Sequence, residues 1–185
     1  MSTEELLIAI VRIVGSLLVL RWAFAGGVIA VLVDLSDLFL KNLLDLGGVS
    51  NYQAFDKWLD QVYMLAFLAV AVRQWQGVPR NVAVALYAYR LIGFVAYELS
   101  GARAVLLLVP NVFEFWFLFV ASLPHWRPGF RYTRRNCAIA LGSLTFAKLT
   151  QEYVLHQAKL LDSFTTVDVI EAIWDVLAWP FGPVT

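Results

Sequence analysis

Apolar runs of about 20 residues recur along the chain, and that is the length a helix needs to cross a hydrocarbon layer. Six stand out: about Leu6 to Ala23, Gly26 to Leu44, Phe55 to Trp75, Pro79 to Leu99, Ala104 to Leu123, and Asn136 to Leu155. The breaks carry turn chemistry at Gly26-Gly27, Gly47-Gly48, Gly77-Val78-Pro79, Ser100-Gly101, and Pro124 through Gly129. A strand reading fails, because the runs are too long and do not alternate. Composition agrees. The chain is 61% hydrophobic and 15% charged, against about 45–50% and about 25% for a soluble domain. The predicted fold class is all-α: a polytopic integral membrane bundle of about six transmembrane helices over residues 1–160, then a C-terminal amphipathic interfacial helix and tail over 161–185. The expected location is a bacterial inner (cytoplasmic) membrane.

The formal net charge is +0, so no bulk field recruits nucleic acid or anionic substrates. One cysteine, Cys137, allows no internal disulfide. Glu4 and Glu5 stand where a secretory signal would carry basic residues, so the first span is expected to stay in the mature protein. Near the C-terminus, Val167, Ile170, Ile173, Trp174 and Leu177 share one helical face, opposite Asp168, Glu171 and Asp175. Pro180 stops that helix. It is expected to lie at the membrane interface or to dock a partner.

Charges inside the spans carry the functional information, because a charge near the bilayer centre costs a few kcal/mol. They are Arg12, Asp34, Asp37, Asp56, Asp60, Arg90, Glu114, Lys148 and Glu152. Asp34 and Asp37 share one face of the second helix, and Asp56 and Asp60 one face of the third. A short connection makes these helices antiparallel neighbours, so the two pairs converge near one membrane side. Four carboxylates cannot all stay ionised in a low-dielectric pocket without cations. Hard oxygen ligands favour Mg²⁺, Mn²⁺ or Ca²⁺. Metals held this way suit a phosphate-bearing substrate. The plainer alternative pairs the aspartates with Lys41, Lys57 and Arg90, or lets them reach toward the interface.

The order Arg12, Asp34-x-x-Asp37, Asp56-x-x-x-Asp60 resembles the CDP-alcohol phosphatidyltransferase family, a six-helix membrane fold with the pattern D-x2-D-G-x2-A-R-x8-G-x3-D-x3-D. The resemblance runs through the first four spans. It implies that Asp34, Asp37, Asp56 and Asp60 hold Mg²⁺ or Mn²⁺, with Asp60 also the candidate general base toward an acceptor alcohol. Lys41 and Arg90 are the candidate phosphate-binding residues. The implied reaction moves a phosphatidyl or phospho-alcohol group in phospholipid synthesis and releases CMP. Leu38 stands where the family has its first glycine, Lys41-Asn42 where it has Ala-Arg, and Tyr52 where it has its second glycine. The stretch before Tyr52 is one residue longer than the pattern. These departures favour a second expectation, a non-catalytic integral subunit of a larger membrane complex derived from that fold. An ion or proton path through the carboxylates is a third. The expected partners are membrane lipid and a homodimer mate or complex subunit, with no nucleic acid.

Arg127, Arg131, Arg134 and Arg135 crowd one connection, and Arg73 and Arg80 flank another on the same side. The positive-inside rule makes that side cytoplasmic. The family resemblance implies the opposite orientation, because the family keeps its metal site cytoplasmic. Arg90 and Glu114 are expected to pair across helices or to leave Arg90 free for a lipid phosphate. Lys148 and Glu152 are expected to pair locally. His125 and His156 read as interfacial and Cys137 as packing. Trp116, deep in its span, is the candidate to line a lipid groove.

Overall fold

The computed structural model describes residues 3–43, 52–101, 105 and 109–153, with side chains over 6–34, 57–101, 105, 109–151 and 153. The described residues are all-helical. Helix α1 spans Thr3–Leu17 and runs into a 3-10 turn at Leu18–Leu20. Helices α2 (Ala23–Leu43), α3 (Tyr52–Gln74) and α4 (Val78–Ser100) follow. Then come α5 (Val112–Trp126) and α6 (Arg134–Glu152). Helix α3 is central: it packs against α1, α2, α4 and α5. Helix α6 packs on α5.

Five of the six expected spans coincide with a helix to within a few residues. The fifth does not. It was expected from Ala104, but α5 begins at Val112, behind Pro110 and the N-cap Asn111. Proline has no N–H for the helix ladder and disfavours helical backbone in the residue before it. At its other end α5 runs through Pro124 to Trp126, past the expected break. With 15 residues it is about 22 Å long at 1.5 Å per residue. One described helix, Val78–Ser100, is long and apolar enough to cross a membrane, while Leu6–Leu20, Ala23–Asp34 and Val112–Trp126 are shorter apolar segments. The predicted C-terminal helix and the tail over 161–185 lie outside the described residues.

Two glycines allow the turns around α4. Gly77 precedes it at φ 64°. Gly101 closes it in the left-handed conformation at φ 65°, its N–H donating to the Tyr97 carbonyl at 2.8 Å. Both angles are costly for any residue with a Cβ. Gly26 serves close approach instead. A Cβ there would lie 2.4 Å from the backbone of Leu18 and Val19, where α2 passes the 3-10 turn.

The interior has two parts. Toward the end where α3 meets α4 it is aromatic. Phe67 stacks on Phe117 at 4.1 Å, Trp75 stacks on Phe117 at 5.1 Å, and Tyr87 meets Phe113 edge-on at 5.5 Å. Such pairs add about 0.5–1.5 kcal/mol each beyond area burial. Trp116, the candidate groove residue, is fully buried in this part, and its Nε1–H donates to the Pro79 carbonyl at 3.1 Å. Cys137 is buried here too, as packing. The other part is polar. Arg12, Asp60, Arg90, Glu114 and Lys148 are all buried, while Leu99 is 85% exposed and Ile92 68%. Ionisable side chains are therefore buried here while some large apolar side chains are exposed.

Replacing Gly26 with alanine should lower stability by about 1–3 kcal/mol, the usual range for overpacking. Gly142→Ala, on α6 with nothing within 4 Å of the added carbon, should be neutral or stabilising by about 0.5–1 kcal/mol through helix propensity. Thermal unfolding of the two variants in detergent checks the contrast.

Candidate functional site

Three helices meet at Arg12. Its α1 backbone carries the guanidinium into the bundle, and the Ser16 hydroxyl caps the Arg12 carbonyl at 2.6 Å. The guanidinium donates to Asp34 on α2 and, at 2.8 Å, to Asp60 Oδ1 on α3. Lys57 Nζ stands 3.5 Å from the other Asp60 oxygen, one turn earlier on α3. Arg12 is only 3% exposed. The predicted convergence of α2 and α3 carboxylates is therefore present for Asp34 and Asp60, with a cation from α1 between them. Lys57 was expected among the pairing cations, and the pair forms. Of the remaining site residues, Asp37, Lys41 and Asp56 lie on α2 and α3, but their side chains fall outside those described.

A second polar group lies one turn further along α3. Tyr63 is three residues from Asp60 and so on the same face. Its hydroxyl donates to Glu114 Oε2 at 3.1 Å and accepts from Asn111 Nδ2 at 3.0 Å. The Asn111 amide also donates to Glu114 Oε2, at 3.2 Å. Lys148 Nζ approaches the same oxygen at 3.8 Å and donates to Gln151 Oε1 at 2.8 Å. Asp60 and Tyr63 share a face of α3, so the two groups adjoin there and together form a polar layer that runs from α2 to α6.

One expected pairing comes out differently. Arg90 does not pair with Glu114. Its Nη1 donates to the Val109 carbonyl at 2.7 Å, in the segment that leads to α5. Gly93 makes room there, since a Cβ on it would lie 2.7 Å from the Val109 side chain. Arg90 is buried, and its Nε has no hydrogen-bond partner among the described residues; nor has Asn111 Oδ1. Lys148 faces inward to Glu114 and Gln151, while the side chain of its expected partner Glu152 lies outside those described. His125 rests against the Phe24 ring at 5.9 Å at the end of α5, and His156 lies outside the described residues. Tyr63 and Asn111 were not singled out from the sequence. Their signal was present: a tyrosine one turn from Asp60, and an asparagine after proline, three residues before Glu114.

Among the described residues no group of three or more acidic, histidine or cysteine side chains is placed to hold a metal ion. Asp34 and Asp60 supply two hard oxygen donors, and the cation between them is the Arg12 guanidinium. A divalent ion would fit this donor chemistry only with Arg12 turned aside and further oxygens from α2 and α3. Comparison with family models, curated proteins and solved structures gives no match.

Removing one partner of a buried ion pair costs more than the pair contributes, because the other charge stays buried. Arg12→Gln should therefore destabilise the protein by about 3–5 kcal/mol. Combining it with Asp60→Asn should restore part of that loss. Denaturant or thermal unfolding of the single and double variants in detergent measures the coupling.

Proposed function

We propose that the chain is a polytopic membrane protein of a cytoplasmic membrane. Its Arg12–Asp34–Asp60 centre would serve metal-dependent transfer of a phosphatidyl or phospho-alcohol group. The observation that carries this reading is the meeting of carboxylates from α2 and α3 inside a bundle whose outer faces are apolar. Ionisable groups are expensive in a hydrocarbon interior and mark sites of function there. The order of those aspartates also resembles the CDP-alcohol phosphatidyltransferases.

In this reading Asp34 and Asp60, with Asp37 and Asp56, would hold Mg²⁺ or Mn²⁺. A bound divalent ion neutralises charge on the diphosphate of a CDP-linked donor. Arg12, which bridges Asp34 and Asp60, would turn aside to admit the ion. Asp60 would take the proton of the acceptor alcohol as its oxygen bonds to the donor phosphorus and the phosphorus–oxygen bond to CMP breaks, releasing CMP. Arg90 is buried with Nη1 bound to Val109, which leaves Lys41 as the better candidate to meet substrate phosphate.

The guanidinium between Asp34 and Asp60 favours a second reading. Arg12 already balances the carboxylates, as a purely structural ion pair would in a non-catalytic subunit of a membrane complex.

Mn²⁺ titration of the purified chain in detergent separates the two. The transferase reading expects saturable binding, lost in Asp56→Asn and Asp60→Asn, and CMP release from CDP-linked lipid donors. No binding by the native chain overturns it in favour of the structural pair.

A further inference from the structure

Among the described residues, the end of the bundle opposite the N-terminus of α1 carries arginines and no acid. Arg21 lies in the turn between the 3-10 segment and α2, Arg73 and Arg80 flank the α3–α4 turn, and Arg127 and Arg131 lie in the α5–α6 connection. Arg134 and Arg135 open α6. The sequence has no aspartate or glutamate between Glu5 and Asp34, between Asp60 and Glu98, or between Glu114 and Glu152. Every turn at this end is thus free of acid.

The three turns are neighbours. Phe24 at the start of α2 meets Trp126 at the end of α5, edge-on at 4.9 Å. The α3–α4 turn and the α5–α6 connection line one cavity. Helices α2, α4 and α6 all begin here, and none carries an acidic residue in its first turn. Helix N-termini carry partial positive charge, so arginines placed on them add like charge. By contrast, α5 begins at the other end and places Glu114 in its first turn. Among the described residues no acidic side chain offsets the positive charge at this end, and an external anion would relieve it.

The cavity gives that anion a place. Its volume is about 330 Å³, in the range of small-molecule sites. Trp75, Pro79, Arg127, Phe130 and Tyr132 form much of its lining. The walls are fixed. Trp75 is stacked on Phe117, Pro79 accepts from Trp116, and Phe130 is wedged edge-on between Phe119 and Tyr132 at 5.4 and 5.2 Å. The connection is itself tied down, with Phe130 N–H on the Arg127 carbonyl at 2.9 Å and Asn136 Nδ2 on the Arg131 carbonyl at 2.8 Å. Burial raises the Tyr132 phenol above its ordinary value, with Cys137 a lesser cause. It therefore stays a hydroxyl and can donate to a phosphate oxygen. The exposed Trp22 and Trp126 on the neighbouring turns suit a membrane–water interface.

We propose that this cavity, between the α3–α4 turn and the α5–α6 connection, binds the phosphate headgroup of an anionic phospholipid at Arg127. A guanidinium matches phosphate in shape and charge. The surrounding arginines attract the anionic leaflet, and the apolar walls accept the glycerol and the start of the acyl chains. This site is separate from the Arg12 centre. It rests on the membrane placement of the bundle and not on any chemistry at Asp60.

The test titrates the full chain in detergent with phosphatidylglycerol, phosphatidylcholine and inorganic phosphate, reading tryptophan fluorescence and the unfolding midpoint. Phosphatidylglycerol should bind saturably, and the other two should not at the same concentrations. Arg127→Gln should weaken that binding about tenfold, as loss of a charge-assisted hydrogen bond would. Arg127→Lys should retain more of the affinity than Arg127→Gln, and Arg21→Gln, on another turn, should change it less than about twofold. Equal effects of Arg21→Gln and Arg127→Gln would overturn the cavity site in favour of diffuse attraction. Equal binding of phosphatidylcholine, binding of inorganic phosphate alone, or no binding of phosphatidylglycerol would each overturn it as well. Recovery of the chain from the soluble fraction without detergent would remove the membrane placement itself, whatever the Mn²⁺ titration gives.

Discussion

The contact between Arg12 and the carboxylates of Asp34 and Asp60 ties three helices together at a buried point. Charges taken out of water lose several kcal/mol of solvation each, and only close opposite charge and hydrogen bonds offset that loss. The helices that carry these groups cannot slide or rotate without separating them. Small residues beside the contact serve the same geometry. Gly15 lets α1 approach Val33 on α2, and Gly26 lets α2 pass the 3-10 turn. Close helix approach through small residues, combined with buried polar contacts, is how helices associate where water gives no drive.

From Asp60 the polar layer continues through the Tyr63 face to Glu114, Asn111 and Lys148. It reaches α6, whose only packed neighbour among the described helices is α5. Beyond the polar layer the interior is aromatic, and at the far end the surface is rich in arginine. The protein is therefore graded along its length, from carboxylates through aromatic packing to guanidinium groups.

Much of the helical layout was legible in the sequence, because long apolar runs and Gly/Pro punctuation are local signals. The start of α5 was misplaced because a hydropathy average passes over Pro110, whose effect is on backbone geometry. The aspartate spacing gave the shared helix faces, and Asp34 and Asp60 do converge. Helix spacing alone could not show that Arg12 would occupy the point of convergence, since that depends on the depth at which α1 packs. The approach of Lys148 to Glu114 was likewise invisible to spacing, because the two residues lie on different helices. Arg90 was expected to meet a charge and instead meets the Val109 backbone carbonyl.

The account stands or falls on whether the carboxylates around Arg12 can exchange that cation for a metal. Crystals of the protein in a lipid phase, soaked with Mn²⁺ and measured at the manganese absorption edge, address this directly. The account predicts an anomalous peak beside the Asp34 and Asp60 carboxylates with the Arg12 guanidinium turned away. A guanidinium still seated between the two carboxylates, with no peak beside them, would contradict it.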